Sequence, residues 1–340
     1  MLKTKKITTS IFKYFLIFTS SVLFITFLYF DYKEIPIYNL KLAYRFITGQ
    51  QNYSQYQNLA QKLGFSKNDK LLIIHADDLG LSKSVNKASF KALIDGSVNS
   101  ASVMMTCEKI SEVSEFSKKN PHIDFGIHLT LTSEWKYYKW DGVLESSEIP
   151  SLIDKNGNFY ENIKLVTLKA NNEDLKKELQ AQIDLAKSMG INISHIDSHE
   201  GALFFNRDFF KIYLELAEEN KLAAFVPDIV TAHFDKTFIQ PKNLVIVDDL
   251  YMAENGMKLS NFEGFYIDIL NNLKPGLNQI LVHLGFDDLE MKKITIDHPN
   301  FGSKWRSYDF NIVSSEKFKN TLIKNNIKLV NWGDIQKVLY

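Results

Sequence analysis

Four aliphatic residues, Leu71, Leu72, Ile73 and Ile74, run directly into His75-Ala76-Asp77-Asp78-Leu79-Gly80. An apolar run of this length, rich in β-formers and ending in acids, reads as a strand buried on both faces, the kind found in parallel sheets covered by helices. The two carboxylates then stand at the strand's carboxyl end, where open α/β sheets and barrels collect their ligands and catalytic groups. One Asp-Asp pair is weak by itself, because acids commonly close strands and cap the next helix. Two later strands, however, also end in histidines.

From Leu71 onward, strand-like and helix-like stretches alternate. The strands expected are Leu71–Ala76, Ser100–Met105, Phe125–Leu131, Ile193–Asp197, Ala223–Val226, Leu244–Val247, Ile280–Leu284 and Ile327–Asn331. Between them, Val85, Ala88, Ala92 and Leu93 share one helical face, as do Leu175, Leu179, Ile183, Ala186 and Met189, and Phe209, Phe210, Tyr213, Leu214 and Ala217. Eight strands with helical crossovers predict an α/β fold, a single (β/α) barrel over residues 71–340, regular or distorted. The stretch from Thr132 to Asn172 is too long for an ordinary connection and is expected to lie over the carboxyl-end face.

The amino terminus carries a targeting signal. Lys3, Lys5 and Lys6 precede a charge-free segment, Tyr14 to Phe30, of about 17 residues, the short end of what spans a bilayer. Its length and the lack of a small-x-small site in Phe27-Leu28-Tyr29-Phe30 favour an uncleaved transmembrane anchor over a signal peptide. The lysines predict residues 1–13 in the cytoplasm and an extracytoplasmic barrel, single-pass in the membrane. Residues 31–70 read as a tether and lead-in helix, with Tyr53, Tyr56, Leu59, Ala60 and Leu63 at helical spacing before Gly64. Forty basic and forty acidic residues cancel, which argues against nucleic acid as a partner. Cys107 is the only cysteine, so no intrachain disulfide forms and no cysteine-based zinc site exists.

Five of the eight histidines fall at one end of the expected sheet: His75, His128, His195, His199 and His283. His195, Asp197 and His199 alternate and share a face if the strand extends that far. Two imidazoles and a carboxylate make a divalent-metal set with positions left for water and substrate, and a second carboxylate beside it can act as general base. The alternative, that each histidine only satisfies a core hydrogen bond, weakens for a cluster, because burying several imidazoles without a charge partner is costly. Trp135, Tyr137, Tyr138 and Trp140 in the long loop could stack on sugar rings or simply pack that loop onto the barrel. Asp248-Asp249 and Asp287-Asp288 read as loop or helix-cap carboxylates.

Ala76-Asp77-Asp78-Leu79-Gly80, Gly126-Ile127-His128-Leu129-Thr130-Leu131 and His195-Ile196-Asp197-Ser198-His199, in this order, resemble the YdjC-like (ChbG/HpnK) carbohydrate deacetylases, relatives of the polysaccharide deacetylases. Arg306, Asp309-Phe310 and Ile327-Lys328-Leu329-Val330 look similar to the family as well. The resemblance implies a barrel holding one divalent metal on Asp78, His128 and His199, with Asp77 as base and His283 as acid. Magnesium follows from the resemblance, while the ligand types also suit zinc or cobalt. His195, Asp197, Trp135 and Trp140 are the candidates for substrate contact. The sequence departs from the family pattern at His75, where asparagine is usual, at Glu200-Gly201, where further histidines are usual, and at Phe225–Asp228, which lacks an arginine. The expected activity is removal of an N-acetyl group from an amino sugar or oligosaccharide. The alternatives are a catalytically degenerate carbohydrate-binding barrel and a metal-dependent esterase or phosphoesterase.

Overall fold

The computed structural model describes residues 56–233 and 244–340, together with positions 19, 22 and 26. The sheet consists of β1 (Lys70–Leu79), β2 (Ser100–Val103), β3 (Phe125–Leu129), β4 (Ile193–Ser198), β5 (Ala223–Pro227), β6 (Leu244–Val247), β7 (Asp249–Tyr251), β8 (Gly276–Val282) and β9 (Lys328–Leu329). All eight expected strands are present, and β7 is additional. Every pairing is parallel, in the order β6-β5-β4-β3-β2-β1-β8-β7, with β9 beside the start of β1.

The sheet curls into a nearly closed (β/α) barrel. Its two ends meet in one short run of chain, because β6 pairs with β5 and β7, one residue later, pairs with β8. Asp248 makes that join. Its backbone N–H donates to Leu277 O at 2.8 Å, and its Oδ2 accepts the Leu277 N–H at 2.9 Å. β1 sits centrally between β2 and β8 and is buried from Leu71 to Leu79. Each of its four leading aliphatic residues contributes about 1.5–3 kcal/mol by leaving water.

The expected helical faces are the buried ones. Lys83–Ile94, Asn172–Ser188 and Arg207–Glu219 turn Val85, Ala88 and Ala92, then Leu175, Leu179 and Ile183, then Phe210, Tyr213 and Ala217 onto the barrel. Ser82, Asn171 and Asn206 cap them, accepting from the N–H groups of Val85, Asp174 and Asp208; each such cap stabilises by about 1 kcal/mol. The lead-in helix is present as Tyr56–Lys62, with Leu59 and Ala60 buried and Gly64 beyond it at φ +82°. Cys107 is buried, as a small apolar residue would be.

Residues 1–13, the expected anchor 14–30 and most of the tether lie outside the described residues. Thr19, Val22 and Thr26 are helical, with Thr26 Oγ1 donating to Val22 O at 2.8 Å. Among the described residues no helix is long and apolar enough to cross a membrane.

Candidate metal centre

The two adjacent acids reach one site by a route the sequence did not suggest. A strand ending before them, with a turn at Gly80, is the expectation. Instead β1 continues through both to Leu79, and its pairing with β2 slips. Ala76 faces Ala101 while Leu79 faces Val103, so one extra residue is accommodated in a bulge. Asp78 sits in it at φ +67°. A bulge breaks the alternation of side chains, which lets Asp77 and Asp78 both turn inward. Gly80, at φ +94°, makes the turn that follows.

Register places the rest. His128 on β3 lies opposite Asp197 on β4, and Gly126 lies opposite His195. His199 follows β4 directly, at the start of a short 3-10 turn. Asp78 Oδ1 is 3.4 Å from His128 Nε2 and 3.6 Å from His199 Nδ1. One ligand atom from each of the three residues lies within 4.8 Å of the others, close enough for all three to share one cation. Asp78, His128 and His199 are all buried and form one of the groups able to hold a cation. Asp78 Oδ1 is buried with no hydrogen-bond partner, and a cation would satisfy it.

Each of these three side chains is fixed from behind. His128 Nδ1 donates to Asp197 Oδ1 at 2.7 Å, which leaves Nε2 as the inward lone pair. His199 Nε2 is 3.2 Å from Glu134 Oε2, which leaves Nδ1 inward. Asp78 Oδ2 accepts from Arg306 Nη2 at 2.6 Å. Such outer partners set the tautomer and raise ligand basicity. Burial opposes the Asp78 charge, but Arg306 and His199 hold its carboxyl well below the usual range. Burial likewise opposes charge on His199 and His128, and the facing carboxylates win: Glu134 and Asp78 raise His199 well above its ordinary value, and Asp197 and Asp77 raise His128.

Asp77 Oδ2 is 3.9 Å from His128 Nε2 and 3.9 Å from His283 Nε2. His283 follows β8, its backbone N–H held by Asp309 Oδ2 at 3.1 Å. Burial lowers its pKa to about 4, so its imidazole is neutral at pH 7, and Nδ1 is buried without a partner. The five expected ligands and catalytic residues therefore stand around one point at the carboxyl end of the barrel.

The four residues assigned to substrate contact do not offer open faces. His195 is fully buried one layer below, stacked on Trp332 at 5.3 Å between ring centroids. Burial and the neighbouring His75 charge keep it neutral, well below its ordinary pKa. Asp197 is also beneath the rim, with one oxygen on His128 and the other on His75. Trp135 and Trp140 are 2% and 4% exposed, packed on each other and on Tyr138. The aromatic cluster fastens the long loop, with Trp140 Nε1 donating to Thr132 O at 2.7 Å and Tyr138 Oη to Leu81 O at 2.8 Å. Trp140 then stands edge-on to His199 at 6.0 Å. As expected, the loop lies over the carboxyl end, and it delivers Glu134, a site residue that no spacing in the sequence marks. The acid pairs resolve as caps and joints: Asp288 Oδ1 caps Met291 N, and Asp287 accepts from Ser303 Oγ.

Known proteins similar to this chain show its family and its fold. A carbohydrate deacetylase from Thermoanaerobacter pseudethanolicus is 27% identical over 267 residues, covering 78% of this chain and 98% of that protein. One from Oceanobacillus iheyensis is 36% identical over 230 residues, covering 65% and 87%. The crystal structure of an Enterococcus faecalis V583 protein provisionally assigned to cellobiose-phosphate cleavage superposes with a TM-score of 0.66 at 23% identity, over 78% of this chain and 98% of that one, and so shares the fold. The YdjC-like protein family matches residues 71–324, and the chain belongs to that family.

Proposed function

We propose that the chain is a carbohydrate deacetylase that hydrolyses the N-acetyl group of an amino sugar or oligosaccharide with the help of one divalent metal. The deacetylase part rests on family membership and on the relatives' activity. The metal part rests on one observation: three inward ligand atoms on Asp78, His128 and His199, each locked by a partner behind it, around an orphaned carboxylate oxygen.

A divalent ion held there supplies Lewis acidity and makes a neighbouring water easier to deprotonate. Asp77, beside the ligands but not among them, takes the water's proton on Oδ2. His283 is neutral at rest and cannot donate until it has been charged. Its Nε2 stands 3.9 Å from Asp77 Oδ2, and the two would have to close to hydrogen-bond distance for the proton collected by Asp77 to pass to His283 and from there to the leaving amine. Acid and base are thus one proton used twice. His128 Nε2 and His199 Nδ1 would hold the ion only when unprotonated, whereas the carboxylates they face favour the protonated rings in its absence.

The test is acetate release from N-acetylglucosamine oligosaccharides, with and without chelator. Release that stops with chelator and returns with added divalent metal is expected. Binding without acetate release would favour a non-catalytic carbohydrate-binding barrel, and release only from esters or phosphoesters would move the reaction class.

A further inference from the structure

Beneath the centre lies a buried side chain that the mechanism above does not use. His75 is fully buried on β1, two residues before Asp77 and on the same face. Its Nε2 is 3.2 Å from Asp77 Oδ1, 3.1 Å from Asp197 Oδ2 and 3.1 Å from Ser102 Oγ. Its Nδ1 is 3.0 Å from Ser100 Oγ, the residue directly opposite on β2.

The polarity of these contacts is fixed by the partners. Ser100 Oγ–H donates to Asp124 Oδ2 at 2.6 Å, so towards His75 it accepts, and Nδ1 must carry a proton. Nε2 faces two carboxylate oxygens, which only accept when ionised, so it carries a proton as well. The ring is an imidazolium, and this agrees with its pKa: burial works against the charge, but Asp197 and Asp77 raise it to about 9. It therefore spans the carboxylate that faces the reacting water and the carboxylate that fixes His128. Two anions converging in a dry core repel unless a cation stands between them.

We propose that His75 is a positioning residue: an imidazolium strut that ties Asp77 to Asp197, aiming Asp77 into the site and keeping Asp197 on His128. This rests on Asp77 acting as base. Without the strut, Asp77 turns away from its partner and the proton transfer loses its geometry, while Asp78, His128 and His199 keep their own atoms. The role is separable from metal binding and from binding of the sugar.

The experiment compares wild type, His75→Leu, His75→Asn and Asp77→Asn in the full chain, reading metal content, kcat and KM on N,N′-diacetylchitobiose. His75→Leu should lower kcat by about 10²-fold, within the range for a lost general base, with KM within about twofold and metal content unchanged. His75→Asn, whose amide donates to one carboxylate, should recover about tenfold of that loss. Unchanged kcat in His75→Leu overturns the proposal, and so does loss of metal in step with activity, which would make His75 merely structural. A second equivalent of metal in wild type that His75→Leu removes also overturns it, because the group His75, His195 and Asp197 would then hold an ion where the strut requires a proton. If wild type releases no acetate, or if Asp77→Asn turns over normally, the underlying reading fails. The strut is then read from the histidine nitrogen spectrum of the protein at about pH 8, where an ordinary imidazole of pKa about 6.5 is neutral. A ring with both nitrogens protonated that is lost in His75→Leu, while the signals of the other histidines persist, supports it, and a spectrum from which His75→Leu removes no such ring overturns it.

Discussion

Replacing Asp197 with asparagine separates a residue that orients a metal ligand from one that touches sugar. Asp197 is 3% exposed, and its two oxygens accept from His128 Nδ1 at 2.7 Å and from His75 Nε2 at 3.1 Å. An asparagine has one acceptor and one amide NH₂ for the same two N–H groups. If its oxygen stays on His128, the NH₂ meets the His75 N–H. If it turns round, His128 must move its proton to Nε2, the atom that would hold the metal. Losing an outer partner of this kind typically weakens metal affinity about 10–100-fold, or about 1.4–2.7 kcal/mol. Removing one member of a buried charge pair costs about 3–5 kcal/mol, and one retained acceptor puts Asp197→Asn near the low end. Burial opposes the Asp197 charge, but His128 and His75 hold its carboxyl far below the usual value. Its stabilisation is therefore fully present above the unfolded carboxylate pKa of about 3.9 and is lost as pH falls below that towards the folded value. Urea unfolding of the metal-free protein should show the Asp197→Asn deficit at neutral pH and a narrowing gap at acid pH. Competition titration with a chromophoric chelator reads the affinity. Wild-type metal affinity in Asp197→Asn, with only KM for the sugar raised, would refute the orienting role and restore Asp197 to substrate contact.

Asp78→Asn should weaken metal binding strongly, whereas Asp77→Asn should keep the metal and lower turnover by about 10²–10⁴-fold; metal loss confined to Asp77→Asn would reverse the two roles. Gly126→Ala should destabilise the fold by about 1–3 kcal/mol, because a Cβ there runs into the His195 ring; denaturation equal to wild type would show that the ring has room to move. Membrane fractionation should find the chain in the membrane with the barrel accessible from the extracytoplasmic side, an expectation resting on the lysine-rich start and the charge-free span of 14–30. Recovery wholly in the soluble cytoplasmic fraction would remove it.

Most strands were legible because a barrel strand buried on both faces is an aliphatic run, as in Leu71–Ile74 and Leu244–Val247. β8 was placed several residues late for the opposite reason. It begins at Gly276 and carries Asn278 and Gln279, both buried, where Asn278 Nδ2 donates to Leu71 O and Gln279 Oε1 accepts from Trp332 Nε1. Buried polar side chains such as these do not look like strand. β7, of three residues, is too short to carry any pattern. Arg306 and Glu134 complete the site from a distant helix and a long loop, and no local spacing binds them to Asp78 or His199.

The residues after Ile193 show what periodicity can and cannot decide. Alternation correctly puts His195 and Asp197 on the inner face, with His199 following directly at the strand end. It says nothing of depth. A strand rises about 3.3 Å per residue, so over the extended stretch Asp197 lies about 7 Å above His195, and His199 emerges beyond it at the rim. That is the difference between a ring stacked on Trp332 in the floor, a carboxylate holding a neighbour's imidazole, and a ligand open to the centre. One face of one strand therefore hosts three unlike roles, and which residue gets which is fixed by where the strand ends and by the register Gly126↔His195 and His128↔Asp197. The same logic raises His75 from a family departure to a part of the site. It lies opposite Ser100, at a depth where the carboxylates of Asp77 and Asp197 both face its Nε2.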